Sequence, residues 1–270
     1  MNRELASDCS QCVGLCCVAL PYAKSADFPV DKDAGTPCHH LKTNFACAIH
    51  NSLRENGFKG CVSYECFGAG QYVTQVLFEG KNWRDSSLAI KQEMFATFPI
   101  VQQLHEMLAY LNEALQLTET EEIHLQLQQA VQELTTLTQQ TPQDIRQIDL
   151  AQQRIKIKPL FIQSSSLYRA RIVLKRKQKK RSDYLGANLK GRNLQGREFR
   201  SALLIAADLR EADLRGADLI GADLRDAQLN DADLSEALFL TQPQINAAIG
   251  NERTRLPDHL VAPAHWKTRC

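Results

Sequence analysis

From Ser182 to Thr241 a large apolar residue returns at every fifth position: Tyr184, Leu189, Leu194, Phe199, Leu204, Leu209, Leu214, Leu219, Leu224, Leu229, Leu234 and Phe239. Alanine stands two places before most of these, with Asp or Asn between, as in Ala207-Asp208-Leu209 and Ala232-Asp233-Leu234. A period of five fits neither a helix nor a flat strand. It fits a backbone that turns by the same angle in each repeat, and such units must stack to bury their apolar side.

Upstream the period changes to that of helices. Met94, Phe98, Val101, Leu104, Leu108, Leu111 and Leu115 step by three and four, on a segment that Pro99 should kink or restart. A second helix is expected near Thr118, with Glu121 completing a capping box and Ile123, Leu127, Val131 and Leu134 as its stripe. Thr141-Pro142 opens a third, with Ile145, Ile148, Ile155 and Leu160 apolar and Pro159 interrupting. These predict a small antiparallel bundle. After the repeats, Thr241-Gln242-Pro243 opens a short helix that ends at Gly250 and closes the stack.

The five-residue phase of 182–241 resembles the pentapeptide-repeat family. That resemblance implies a right-handed quadrilateral β-helix of about three coils. Leu189, Leu209 and Leu229 would form one ladder, Leu194, Leu214 and Leu234 a second, Phe199, Leu219 and Phe239 a third, and Tyr184, Leu204 and Leu224 a fourth. Arg192 and Arg197 stand at inward alanine positions, so those corners must open outward or supply a partner. Outward apolar residues on the third and fourth faces (Ile220, Leu238, Leu240, Leu203, Ile205) make these the expected docking face for the helices of 86–181.

Cysteine usage adds candidate chemistry. Eight of nine cysteines lie in the first 66 residues: Cys9, Cys12, Cys16, Cys17, Cys38, Cys47, Cys61 and Cys66. Cys9-x-x-Cys12 lets two thiolates grip one ion from a tight turn. Cys16 and Cys17 are adjacent, so one of them faces away or serves a second metal. The segment is rich in Gly and Pro and poor in apolar residues, so a metal would supply missing stability. Disulfides and free structural thiols are the alternatives. Pure thiolate ligation suits both zinc and iron–sulfur clusters, with His39, His40 and His50 as spare nitrogen ligands. The run from Cys9-x-x-Cys12 through Gly35-Thr36-Pro37-Cys38 and Cys47-Ala48-Ile49-His50 to Cys61 and Cys66 resembles the zinc- or iron-chelating cysteine family (YkgJ-like). That resemblance implies a metal site without naming the metal. Cys66-Phe67-Gly68-Ala69-Gly70-Gln71 lacks the rest of a phosphate loop and reads as a turn.

The fold class expected is therefore α+β multidomain. A cysteine-rich metal-binding region occupies 1–85, a helical bundle with a basic C-terminal run 86–181, a β-helix 182–241, and a capping helix and tail 242–270. Net charge is +1, no apolar run reaches the about 18 residues of a membrane span, and the start Met1-Asn2-Arg3-Glu4-Leu5 has no apolar core after it. A cytoplasmic, membrane-free protein is expected. The run Lys175-Arg176-Lys177-Gln178-Lys179-Lys180-Arg181 reads first as the cationic end of a helix, without aromatic residues to stack nucleic-acid bases. Cys270 is expected to be free, and nothing sets an oligomeric state.

Functionally, the sequence favours a non-enzymatic scaffold that carries a zinc or iron–sulfur site and recruits a protein partner, with no nucleic-acid role. One alternative is an iron–sulfur or redox enzyme using the same cysteines. The other, implied by the resemblance to the pentapeptide-repeat family, some members of which resemble DNA and engage DNA gyrase, is an antimicrobial-resistance or DNA-gyrase-interacting protein. Residues 183–240 hold 11 acidic and 7 basic residues, net −4, and three coils rise only about 15 Å, which is short for such imitation.

Overall fold

The computed structural model describes residues 5–172 and 182–267, so Lys175–Arg181 and Cys270 lie outside the described residues. The helices are α1 (Leu15–Ala19), α2 (Lys59–Val62), α3 (Ala69–Tyr72), α4 (Leu88–Gln116), α5 (His124–Thr138), α6 (Pro142–Ile145), α7 (Leu150–Ala170) and α8 (Gln242–Ala247). Among the described residues no helix is long and apolar enough to cross a membrane. The chain divides into two compact units, Met1–Cys61 with Glu65–Phe161, and Val62–Tyr64 with Ile162–Cys270.

The first unit is organised on α4. Ser87 caps it, accepting from the Ile90 N–H at 3.4 Å. Its apolar stripe (Met94, Phe98, Val101, Leu104, Leu111) is fully buried against Leu127 and Leu134 of α5 and Ile145 of α6. Leu15 and Val18 of α1 join that core. The helix continues through Pro99 without restarting there, and α7 continues through Pro159, which was expected to interrupt it. Each costs one main-chain bond and a local clash, and packing of the apolar face outweighs that. The expected cap at Thr118 is also absent. The chain makes a 3₁₀ turn over Thr118–Ile123 before α5, and the Thr120 hydroxyl donates back to the carbonyls of Ala114 and Leu117, each at 2.7 Å. On α7 the buried side is Ile157, Phe161, Ser164, Ser165 and Tyr168, while Ile155 is exposed. Two serines sit in that seam, which hid its phase from a search for apolar residues.

The second unit corrects the fold class. Among the described residues there is no β-strand and no sheet, so the expected quadrilateral β-helix is not what the repeats form. Regular structure is helical, and the repeats are stacked turns joined by isolated parallel bridges. The bridges link residues twenty apart, such as Asn188 to Asp208 and Asp208 to Gln228. The physical reason is that each five-residue side spends its length on a turn. Ala207 N–H donates to Leu204 O at 3.0 Å, and the residue between them on the corner, Ala206, has φ 53°. Glu211 (φ 59°) and Gly216 (φ 65°) repeat this, as type II turns require. One residue per side is left to bridge, too few for a strand.

In the repeats that carry Asp or Asn before the central residue, its side chain accepts from the amide two residues on, as Asp213 Oδ1 does from Arg215 N–H at 3.2 Å. The alanines and central leucines from Ala202 to Leu240 form one buried core. Arg192 is exposed, whereas Arg197 donates to the Tyr184 hydroxyl at 2.8 Å and lies over the Tyr184 and Phe199 rings. The docking face is met in part. The end of α7 lies over the third face, where Ser165 bonds the buried Asp218 and Arg169 pairs with Glu198 at 3.7 Å, and over the corner before it: Arg169 donates to Gly196 O at 2.6 Å, Arg171 pairs with Glu236 at 2.8 Å, and Tyr168 and Ile172 lie beside Gly216. Leu203, on the fourth face, stays 48% exposed.

The stack is closed by α8 and the tail. Gln244 accepts from Thr241 N–H at 2.8 Å and donates to Leu219 O and Ala222 O at 2.8 and 2.9 Å. Leu229 N–H donates to Ile249 O and Leu234 N–H to Arg255 O, so the tail takes over the pairing that a further repeat would supply. Gly250 does not stop a helix; a Cβ there would lie 2.6 Å from the Trp266 ring, whose Nε1 donates to Ala248 O at 3.1 Å.

Leu219→Ala is expected to lower stability by about 3 kcal/mol in urea unfolding, with Leu203→Ala below about 1 kcal/mol; equal losses would contradict the buried-core assignment. Arg210 and Arg215 hydrogen-bond Asp208 and Asp213 and hold both carboxyls below their ordinary value of 3.8. Burial pushes Asp223 up, but its bonds to Arg225 leave it low as well. A lowered folded value stabilises above the unfolded one and is lost as pH falls through it. The urea midpoint should therefore drop between about pH 5 and about pH 2, and by less in Arg215→Gln.

Candidate metal centre

All eight N-terminal cysteines lie in the first unit and are free thiols, Cys9 exposed and the others partly buried. No long element positions them. Short turns do, each tied down by hydrogen bonds to distant parts of the unit.

Cys9 and Cys12 flank a 3₁₀ turn, Cys9–Gln11, capped by Asp8, whose side chain accepts from Ser10 N–H at 2.9 Å. Side chains of α3 and the π turn after it hold this turn. Gln71 accepts from Asp8 N–H at 2.9 Å and donates to Ala6 O at 2.7 Å, and Gln75 donates to Gln11 O at 2.9 Å. Cys66 enters α3 through Gly68, which has φ 78°. The stretch read as a plain turn is thus a turn plus the start of a helix. Gly70 has a further role there: an added Cβ would lie 2.8 Å from Cys12 Sγ and 3.7 Å from Cys66 Sγ. Ser7 Oγ is 2.8 Å from Cys66 Sγ and also bonds Glu65.

Cys16 and Cys17 sit on α1, with sulfurs 4.0 Å apart. Cys38 N–H donates to Cys17 O at 2.9 Å, and Leu41 bridges to Cys47. The Tyr22 hydroxyl donates to Cys38 Sγ at 3.5 Å. Tyr22, Phe28 and Phe58 stack and cross beside Cys61, and Gly60 lies so close to Phe28 that a Cβ would meet the ring at 2.2 Å. His40 packs on Phe58, while His39 and His50 are exposed.

Burial, then the neighbouring cysteines, raises the Cys9 thiol to about 11 and the Cys61 thiol to about 12. Burial also raises Cys12 and Cys47. The bond to Cys17 raises Cys16 and lowers Cys17, which Lys32 also favours as thiolate. Lys32 is a residue that sequence reasoning missed. It is 7% exposed and its Nζ donates to the carbonyls of Val18, Asp33 and Thr36 at 3.3, 3.2 and 3.0 Å. Among the described residues, no three or more His, Cys, Asp or Glu side chains stand close enough to hold a metal ion as placed.

A curated relative from Bacillus subtilis (strain 168), printed as "Uncharacterized protein YybG", is 56% identical over 270 residues, covering 99% of this chain and 96% of the relative. The chain belongs to the family of YybG. The family model described as pentapeptide repeats (8 copies) matches residues 186–219 and 202–239. The match confirms the repeat resemblance for the C-terminal region, and it does not extend to the cysteines, so the resemblance of that segment to the chelating family is not confirmed. This member of the YybG family is a pentapeptide-repeat protein with a separate, thiol-rich unit.

Lys32→Met keeps the aliphatic stem and removes a donor shared by three carbonyls, of which Val18 O and Asp33 O keep the amides of Gly35 and Thr36. It should lower the stability of the first unit by about 1 kcal/mol in denaturant unfolding; an unchanged midpoint would contradict the role given to Lys32.

Proposed function

We propose that this chain is a non-enzymatic metal-binding protein, in which the thiol-rich unit holds zinc or an iron–sulfur cluster and the repeats offer a scaffold to a protein partner. The observation that carries the reading is the presence of eight free thiols in one unit, on turns tied by hydrogen bonds to distant residues. The donor chemistry fits: thiolate sulfur selects zinc and iron–sulfur clusters, and binding would expel the protons that burial now holds on Cys9 and Cys61. The thiols as placed do not converge on one point among the described residues, so binding would require the turns that carry them to move. The metal, when bound, would cross-link turns that share little apolar core; the chain's own residues hold those turns in reach of each other.

Two observations favour the scaffold over imitation of DNA. The acidic residues of the repeats are paired locally, Asp208 with Arg210, Asp213 with Arg215 and Asp223 with Arg225. The stack is also closed by its tail rather than extended. A cytoplasmic location is part of the proposal, since free thiols persist in a reducing compartment.

The test is to purify the protein anaerobically, quantify zinc, iron and sulfide, and record the visible spectrum. Zinc or iron in stoichiometric amount is expected. Colourless zinc supports the structural form, and iron with sulfide and absorption near about 400 nm returns the redox enzyme as the reading to pursue. Neither metal, with the first unit still folded by circular dichroism, overturns the proposal.

A further inference from the structure

We infer that Cys16 and Cys17 form a two-thiol site for a monosubstituted trivalent arsenical, R–As(OH)2, whose arsenic atom bridges the two sulfurs. The inference does not rest on the metal reading above. It concerns a ligand that needs two thiols, where a structural zinc ion or an iron–sulfur cluster needs about four donors.

Adjacency alone would turn one of this pair away, since successive residues of a helix point about 100° apart. Instead the two sulfurs lie 4.0 Å apart, with the Cys16 thiol donating to Cys17 Sγ. Both cysteines are free and partly buried. The backbone beneath them is pinned. Cys17 N–H donates to Gly14 O at 3.0 Å, Cys17 O accepts from Cys38 N–H at 2.9 Å, and Val18 O accepts from Gly35 N–H at 2.9 Å. Leu15 and Val18, on either side of the pair, are fully buried. Gly14 caps α1 with φ 70°, and a Cβ there would lie 2.8 Å from the Leu41 side chain, so the turn that leads into the pair requires glycine. The two thiols are therefore placed before any ligand arrives, which lowers the ordering cost of binding.

The number of donors selects the ligand. Among the described residues no three His, Cys, Asp or Glu side chains stand close enough to share an ion as placed, so the pair offers two sulfurs and no third group. A direct disulfide is disfavoured. Consecutive Cα atoms are about 3.8 Å apart, under the about 4.4 Å at which disulfides ordinarily begin, and closing one would distort the pinned turn of α1. A bridging atom enlarges the ring and removes that constraint. Trivalent arsenic is soft, as thiolate sulfur is, and a monosubstituted arsenical carries two exchangeable hydroxyls, one for each thiol. Two As–O bonds break and two As–S bonds form. Each thiol proton leaves with a hydroxyl as water, arsenic stays trivalent, and neither sulfur is oxidised.

The test titrates anaerobically purified, full-length wild-type protein with phenylarsine oxide in excess 2-mercaptoethanol, which strips arsenic from single thiols. One equivalent should stay bound, adding by intact mass one phenylarsenic group less two hydrogens, and 1,2-ethanedithiol should release it. Labelling with N-ethylmaleimide, read by peptide fragmentation, should find Cys16 and Cys17 protected and the remaining cysteines labelled as in untreated protein. Cys16→Ser and Cys17→Ser, each with wild-type helicity by circular dichroism, should lose retention of the arsenical. An adduct on another pair of cysteines, retention in Cys17→Ser, or no adduct on the folded wild-type protein before or after treatment with a chelator would overturn the inference. The metal reading fails separately, on the absence of zinc and iron before the arsenical is added.

Discussion

A backbone amide or carbonyl taken out of water must find another partner, and this chain has no sheet among its described residues to provide one. Both units answer that constraint without strands. In the repeats each coil lends its amides to the next, nineteen residues on, as Leu209 does to Gln228 O at 2.9 Å and Glu211 to Asn230 O at 2.9 Å. The turn at every fifth residue makes this possible, and in most repeats an Asp or Asn covers an amide that the turn exposes. The leucine core is a consequence of that spacing: once the backbone is in register, the central residues fall on top of one another. The tail obeys the same rule, because an open end would leave carbonyls and amides of the last coil unpaired.

In the thiol-rich unit the same requirement is met by side chains. Lys32 serves three carbonyls, Trp83 donates to Val13 O at 2.8 Å, and Arg84 bonds the carbonyls of Lys42 and Thr43. These bonds fix loops that apolar burial alone would not fix, and the loops carry the cysteines. Such an arrangement holds the cysteines on tied turns of one unit as free thiols. It resembles a frame built for a cross-link that thiols can make to a third atom. The metal proposed above would cross-link such loops, and the cations of Lys32 and Lys42 stand near Cys17, Cys38 and Cys47.

What the sequence reveals depends on whether a residue repeats its neighbours' role. The five-residue phase, the Ala and Leu positions, the strain at Arg192 and Arg197, and the stripe of α4 are periodic, and each is legible. The strand content of the repeats was not: the period shows how often the chain turns, and not how little is left between turns for pairing. Pro99 and Pro159 were read by local propensity, and tertiary packing overrode it. The seam of α7 was missed because Ser164 and Ser165 are small rather than apolar. The candidate cysteines were evident from their number, but Lys32, Gly70, Gln71 and Gln75, which place them, carry no signal in a single sequence. Each works through one contact with a residue far along the chain. Gly250 and Trp266 belong to the same class: their contact explains the tail, and spacing alone does not show it.

X-ray absorption at the edge of whichever metal accompanies the anaerobically purified protein tests the central claim most directly, because it reads the ligands themselves. The account predicts a first shell made only of sulfur, at about 2.3 Å, for all of the bound metal. A shell containing nitrogen or oxygen from protein side chains would contradict thiolate centres built from these eight cysteines.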